Sequence, residues 1–244
     1  MRVAFISDTH GNLLALEAVL RELERESFDQ LVCLGDVAIG PFPSETVWRL
    51  SELGCPVVMG NWDAWLVEGV PALEGEVGPR LSAQGRWCAS RLDADELDFL
   101  RGFAATLELD LDGVSALCCH GSPHSFDEAL LPDVPRAELE RALAGVDAGL
   151  IIAGHTHLQT LRPIPGSLFA NVGSVGLPFS DGPSSGSMRV SRWAEYGLAT
   201  VDERGLTLEF RRVPYDVEEM LAAVRASGMP HADWWASCWA EPRS

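Results

Sequence analysis

Five short apolar runs in this sequence stop at polar side chains, and the stops look alike. Leu31-Val32-Cys33-Leu34-Gly35 leads to Asp36, and Val57-Val58-Met59-Gly60 leads to Asn61. Leu117-Cys118-Cys119 leads to His120-Gly121, and Ile151-Ile152-Ala153-Gly154 leads to His155-Thr156-His157. The first run, Val3–Ile6, leads to Ser7-Asp8-Thr9-His10-Gly11. A compact apolar run marks a strand buried on both faces. Ligands in α/β proteins gather beyond the carboxyl ends of such strands, and glycine lets backbone come close there. The pattern therefore demands a fold that aims Asp8, His10, Asp36, Asn61, His120, His155 and His157 at one place. Asp8 and His10 sit two apart, as do His155 and His157, so extended backbone would aim each pair to one side.

The stretches between the runs set the rest of the architecture. Asn12 can cap a helix in which Leu13, Leu16, Leu20 and Leu23 recur at helical spacing. Pro41-Phe42-Pro43 is a rigid loop, Ser44 is placed to cap a helix running to about Leu53, and Pro56–Met59 reads as a third short strand. Residues from about 64 to 105 read as polar helix with Gly and Pro interruptions. Leu107, Leu109 and Leu111 alternate with acidic residues, and Asp112-Gly113 then offers a hairpin turn into Val114–Cys119. Arg136–Ala144 reads as helix, and Leu150–Ala153 as a buried strand. Phe169–Val172, Leu198–Val201 and Leu206–Val213 make the C-terminal half rich in strands. Ser180–Ser187 is a Ser/Gly/Pro loop. Early alternation of strand and helix, followed by adjacent strands, predicts an α/β or α+β domain of two packed sheets with helices outside. It spans 1–244, with a Trp-rich extension at about 214–244.

The converging donors are carboxylate, amide and imidazole, with no sulfur. That set suits Mn²⁺, Fe, Zn²⁺, Co²⁺ or Ni²⁺ better than a thiolate zinc site. Seven donors are too many for one tetrahedral ion and suit two divalent metals sharing a carboxylate. The six cysteines form no C-x-x-C pair and read as reduced thiols of a cytoplasmic protein. Thirty-six acidic residues against eighteen basic ones leave a formal charge of −18. A duplex nucleic acid binder carries a basic face, so a small phosphorylated substrate fits better than a polyanion. No window has the length of apolar sequence a membrane helix needs, and the N-terminal run is too short for a signal peptide.

As an ordered set, Asp8-x-His10, Gly35-Asp36, Gly60-Asn61-x-Asp63, His120-Gly121 and Gly154-His155-Thr156-His157 resemble the calcineurin-like metallophosphoesterase superfamily. The resemblance covers about residues 3 to 177. Ser7–Asn12, His120–Pro123 and Asn171-Val172-Gly173-Ser174-Val175-Gly176 are similar to its compact bacterial and archaeal phosphodiesterase-like branch, which includes diadenosine polyphosphate hydrolase-like proteins. The resemblance implies a four-layer αββα sandwich. It implies that Asp8, His10 and His157 hold one metal, that Asn61, His120 and His155 hold a second, and that Asp36 bridges them. It implies phosphate ester hydrolysis, as phosphodiesterase or phosphatase, by a hydroxide held between the metals, with Asp36, Asn61 and His120 counted as catalytic. The other functions within its reach are diadenosine polyphosphate or protein phosphatase activity, and a non-catalytic protein-binding scaffold.

One departure from the family pattern carries chemistry. The familiar motif at 60–63 is Gly-Asn-His-Asp, and here position 62 is Trp. An indole has one N–H and no titratable proton near neutral pH, so it cannot be a general acid, and esters with poor leaving groups should react slowly. Four residues are candidates for substrate contact. Trp62 is a stacking platform for a base, Asn12 a phosphate contact that helix capping already explains, and His124 an exposed loop histidine or a stand-in proton donor. Arg189, with Arg192, is a solvated loop charge or a partner for a second phosphate. The run Trp234-Trp235-Ala236-Ser237-Cys238-Trp239 packs on the core, covers a groove near the site, or makes a subunit contact.

Overall fold

The strand at the chain's start sorts its side chains to two cores. In β1 (Arg2–Ile6), Val3 and Phe5 face one way and Ala4 and Ile6 the other, all fully buried. A computed structural model describes residues 1–180 and 188–239. After β1 come α1 (Leu13–Leu23), β2 (Gln30–Cys33), α2 (Pro43–Leu53), α3 (Asn61–Glu68), α4 (Gly78–Ala89) and α5 (Ala94–Arg101). A hairpin of β3 (Leu107–Leu111) and β4 (Val114–Cys118) follows, then α6 (Arg136–Ala142), β5 (Leu150–Ala153), β6 (Thr160–Ile164) and β7 (Ser167–Asn171). The chain closes with β8 (Trp193–Asp202), β9 (Gly205–Pro214), α7 (Val217–Ala226) and α8 (Ala232–Ser237).

The strands form two mixed sheets, in the orders β2-β1-β8-β9 and β3-β4-β5-β7-β6. Val3, Phe5, Val32 and Leu34 meet Leu111, Cys118, Leu150 and Ile152 between the sheets. Ala4, Ile6 and Cys33 pack outward on Leu16 and Val19 of α1 and Leu50 of α2. On the far side, Leu117, Ile151 and Phe169 pack on Leu139 and Ala142 of α6. The result is the expected αββα sandwich in one domain.

Several elements differ from the sequence expectation. Pro56–Met59 is not a strand but two isolated bridges, Val57 to Cys33 and Val58 to Ala104, because its backbone is shared between two neighbours. Ser44 does not cap α2. Phe42 holds the cap position with Pro43 just inside it, and the Ser44 hydroxyl donates to Glu96 of α5. α6 stops at Ala142, and β6 and α7 carried no signal singled out in the sequence. The Trp-rich extension folds back. Trp235 and Trp239 are buried with Met220 and Val224 of α7, which is core packing. Within the expected Ser/Gly/Pro loop, residues 181–187 lie outside the described residues, as do 240–244. All six cysteines are unpaired, and no described helix is long and apolar enough to cross a membrane.

Candidate metal centre

The seven candidate donors come from the carboxyl ends of β1, β2, β4 and β5 and from the first turn of α3. Convergence is achieved by turning, not by extended alternation. Asp8, His10, Asp36, His155 and His157 all have φ between 49° and 66°, the left-handed region that non-glycine residues avoid. Each chain segment thus swings sharply as it leaves its strand, which corrects the expectation that extended backbone aims the pairs.

Two triads result. Asp8, His10 and His157 present ligand atoms within 4.8 Å of one another, and Asp36, His120 and His155 do the same. His157 Nε2 lies 3.1 Å from Asp8 Oδ1 and 3.0 Å from His10 Nε2. His120 Nε2 lies 3.4 Å from Asp36 Oδ2 and 3.2 Å from Asn61 Oδ1. His10 Nε2 of the first triad is 3.7 Å from Asp36 Oδ2 of the second, so the two triads adjoin at Asp36. Asp8, His10, Asp36, Asn61, His120 and His157 are buried, and His155 is half-buried.

Whether metal ions fit can be tested on one atom. Asp8 Oδ1 is buried and has no hydrogen-bond partner among the described residues, an arrangement native proteins rarely leave uncompensated. Asp8 Oδ2 is spent on the Ser7 hydroxyl at 2.5 Å and the His155 amide at 3.0 Å, so Oδ1 is the free oxygen. Beside it, two imidazole nitrogens face each other at hydrogen-bond distance. A cation satisfies all three donors at once, and the oxygen and nitrogen set suits a borderline divalent ion.

Outer contacts fix each ring. His120 Nδ1 donates to the Leu34 carbonyl at 2.6 Å and His157 Nδ1 to Leu177 at 2.8 Å, which leaves both Nε2 lone pairs on the site. His155 Nε2 donates to the Asp127 carbonyl at 3.2 Å, leaving Nδ1 for the site. Asp63 holds the Asp36 loop: its carboxylate accepts from the amides of Asp36 at 2.7 Å, Val37 at 2.9 Å and Gly60 at 3.1 Å. The sequence signal for this role of Asp63 is its three-residue spacing from Gly60, that of a capping box. Ser174 Oγ donates to the Asp8 carbonyl at 2.8 Å, so the 171–176 motif braces the site from behind.

Charge in the metal-free site follows from this crowding. Burial would raise the Asp8 pKa, but the facing His157, His10 and His120 rings outweigh it and hold the carboxyl well below its usual range. Burial would lower that of His120, yet Asp36 and Asp8 push it up to about 10. Burial dominates for His10 and His155, which fall below the ordinary value. Asp63 rises to about 7 through burial and the Asp36 charge, against the pull of the Val37 and Gly60 amides.

The other candidates fall around this centre. Trp62 lines the cavity over it, with its amide donating to Asp36 Oδ1 at 2.9 Å. Asn12 does not reach out. Its oxygen caps α1 through Ala15, and its nitrogen is shared by the Gly176 carbonyl and the Tyr215 hydroxyl. His124 turns to the Ala144 carbonyl at 3.0 Å, away from the donors. Arg189 is exposed and does not line the cavity, while Arg192 pairs with Glu218 of α7. The cavity, about 170 Å³, is lined by His10, Asp36, Asn61, His155 and His157. It is also lined by Trp235, so the C-terminal Trp run covers a groove at the site as well as packing on the core, and by Gln84, which the sequence did not mark because it sits in an ordinary helical pattern.

Comparison with known proteins adds four likenesses. Residues 1–192 match the calcineurin-like phosphoesterase superfamily domain. An uncharacterized protein of Methanocaldococcus jannaschii is 26% identical over 237 residues, 93% of each chain. The crystal structure of a metallophosphoesterase from Sphaerobacter thermophilus superposes with a TM-score of 0.72 at 28% identity, covering 95% of this chain and 96% of that one. A hypothetical protein from Pyrococcus horikoshii OT3 shares the fold, with a TM-score of 0.81 at 21% identity over 100% and 99% of the two chains.

Proposed function

This chain belongs to the calcineurin-like phosphoesterase superfamily, and from that premise we propose that it hydrolyses esters of a small phosphorylated substrate with two divalent metal ions. Asp8, His10 and His157 would hold one ion, Asn61, His120 and His155 the other, with Asp36 shared. The observation that carries this reading is the unpartnered Asp8 Oδ1 beside two facing imidazole nitrogens. When bound, the ions generate a nucleophile from water and neutralise charge on the phosphoryl oxygens.

The chain's own residues supply order around that chemistry. The Leu34 and Leu177 carbonyls lock the tautomers of His120 and His157. Asp63 fixes the loop that carries Asp36. Trp62 excludes water and contributes no proton, so the leaving oxygen departs as an anion or takes its proton from solvent. Phosphodiesters and phosphoanhydrides with stable leaving anions are therefore favoured over alkyl phosphomonoesters.

Asp36→Asn tests the assignment. It should abolish turnover of an aryl phosphodiester and reduce bound metal from two equivalents, while circular dichroism stays that of the native fold. Near-normal rates in metal-replete buffer would remove Asp36 from the shared position.

A further inference from the structure

Besides the candidate metal donors, the cavity is lined by apolar and aromatic side chains, Trp62, Leu81, Phe179, Met188 and Trp235. Its rings are held in place. Trp62 meets Trp65 edge-on at 4.9 Å, and α4 passes so close that a Cβ at Gly85 would lie 2.7 Å from Trp62 Cζ3. Phe179 stacks on His157 at 4.5 Å, and Trp235 lies 4.3 Å from Trp239. A wall of fixed rings binds a flat group without paying to order itself.

Gln84, only 2% exposed, sits in this wall. Its Nε2 donates to the Pro230 carbonyl at 3.1 Å, which settles the orientation of the amide. The oxygen Oε1 accepts no hydrogen bond among the described residues, and the residue that carries it lines the cavity. No Lys or Arg lines the cavity among the described residues, and residues 181–187 contain neither. At about 170 Å³, the space is well below the roughly 300–1,000 Å³ of a drug-sized pocket.

We propose that this site selects phosphate esters of one compact, flat, uncharged ring carrying an N–H or O–H at its edge, read by Gln84, and that it rejects substrates whose ring itself carries an anionic group. The inference rests on the metal-dependent phosphoesterase reading and names its substrate class. The ring packs against Trp62 and Trp235 while the phosphoryl group faces the histidines. An anion on the ring would meet an apolar wall in a protein of net charge −18, where no Lys or Arg among the described residues lines the cavity.

Calorimetric binding to the metal-loaded protein tests this with four phosphonates: methyl, benzyl, 4-aminobenzyl and 4-carboxybenzyl. Benzylphosphonate should bind at least about tenfold tighter than methylphosphonate, in line with a fixed aromatic wall. The 4-amino compound should bind tighter still, and the 4-carboxy compound weaker than benzyl. Trp235→Leu should bring benzyl and methyl within about threefold of each other. Gln84→Met should erase only the 4-amino advantage. Equal affinity for methyl and benzyl in the native protein overturns the ring selection and leaves the phosphoesterase reading standing. Tighter binding of the 4-carboxy compound than of benzyl overturns the exclusion of an anion on the ring. Failure of all four to bind overturns both readings.

Discussion

At position 62, an indole that is 8% exposed lies against Trp65 and the bare backbone of Gly85, with its own amide tied to Asp36. The side chain is therefore both core and cavity wall, and replacing it acts on both. Trp62→His restores a titratable donor beside the leaving group. It should raise turnover selectively on poor leaving groups, by less than the roughly 10²–10⁴ of an optimised general acid. It should also lower stability by roughly 2–3 kcal/mol, below the 3–5 kcal/mol of a truncation to Ala. Rates across a leaving-group series for both proteins decide the matter, since parallel slopes would remove proton donation from the account. The meeting of the seven candidate side chains was legible in the sequence because each lies just past an apolar run. Gln84 and the anchoring of Asp36 by Asp63 were not, because their meaning depends on which distant backbone they meet.

Elements meet at this site through their ends. Gly154, just past β5, brings one sheet against the other: a Cβ there would lie 1.9 Å from Ser7 Oγ and 2.6 Å from Asp8 Oδ2. Gly154→Ala must push the β5 end away from Asp8, at a cost of about 1–3 kcal/mol for an overpacked position. The first metal should then bind more weakly than the second, which metal titration followed by elemental analysis would show; undiminished stoichiometry would mean that the junction yields elsewhere. The sandwich itself was readable from apolar runs and hairpin signals. Pro56–Met59 misled because an apolar run says nothing about how its amides are shared, and β6, with Arg162 and Pro163 inside it, offers too little alternation to stand out. The turning of five donors into left-handed backbone was hidden for another reason. Sequence patterns report periodicity, and strain of this kind is imposed only when neighbouring elements close around the residue.

For the molecule as a whole, metal and protons compete for one buried cluster. His120 is raised from its ordinary 6.5 to about 10 when only the aspartates face it. Its protonation therefore stabilises the metal-free fold fully below pH 6.5, and that contribution is lost as pH rises toward 10. A cation must displace the same proton, so metal affinity rises across this window. The gap in melting temperature between metal-loaded and chelator-treated protein should widen from pH 6.5 to 9. At a hundredfold excess over Kd the stabilisation is about 2.7 kcal/mol, roughly 5–10 °C for a chain of this size. Calorimetry at several pH values checks it, and a gap that narrows with pH would be the contrary result. The strand order has a different consequence, one of timing. β1 carries the first ligand at its end, yet one of its two neighbours is β8, paired from Arg2 opposite Thr200 to Phe5 opposite Gly197. On a ribosome adding about 5–20 residues per second, β1 waits roughly 10–40 s for that neighbour to be made. Through that interval one edge of the strand beside the metal donors stays unpaired, open to any other strand in reach. Synthesis of this protein is thus a period in which the half carrying the candidate metal donors exists before the strand that closes its sheet.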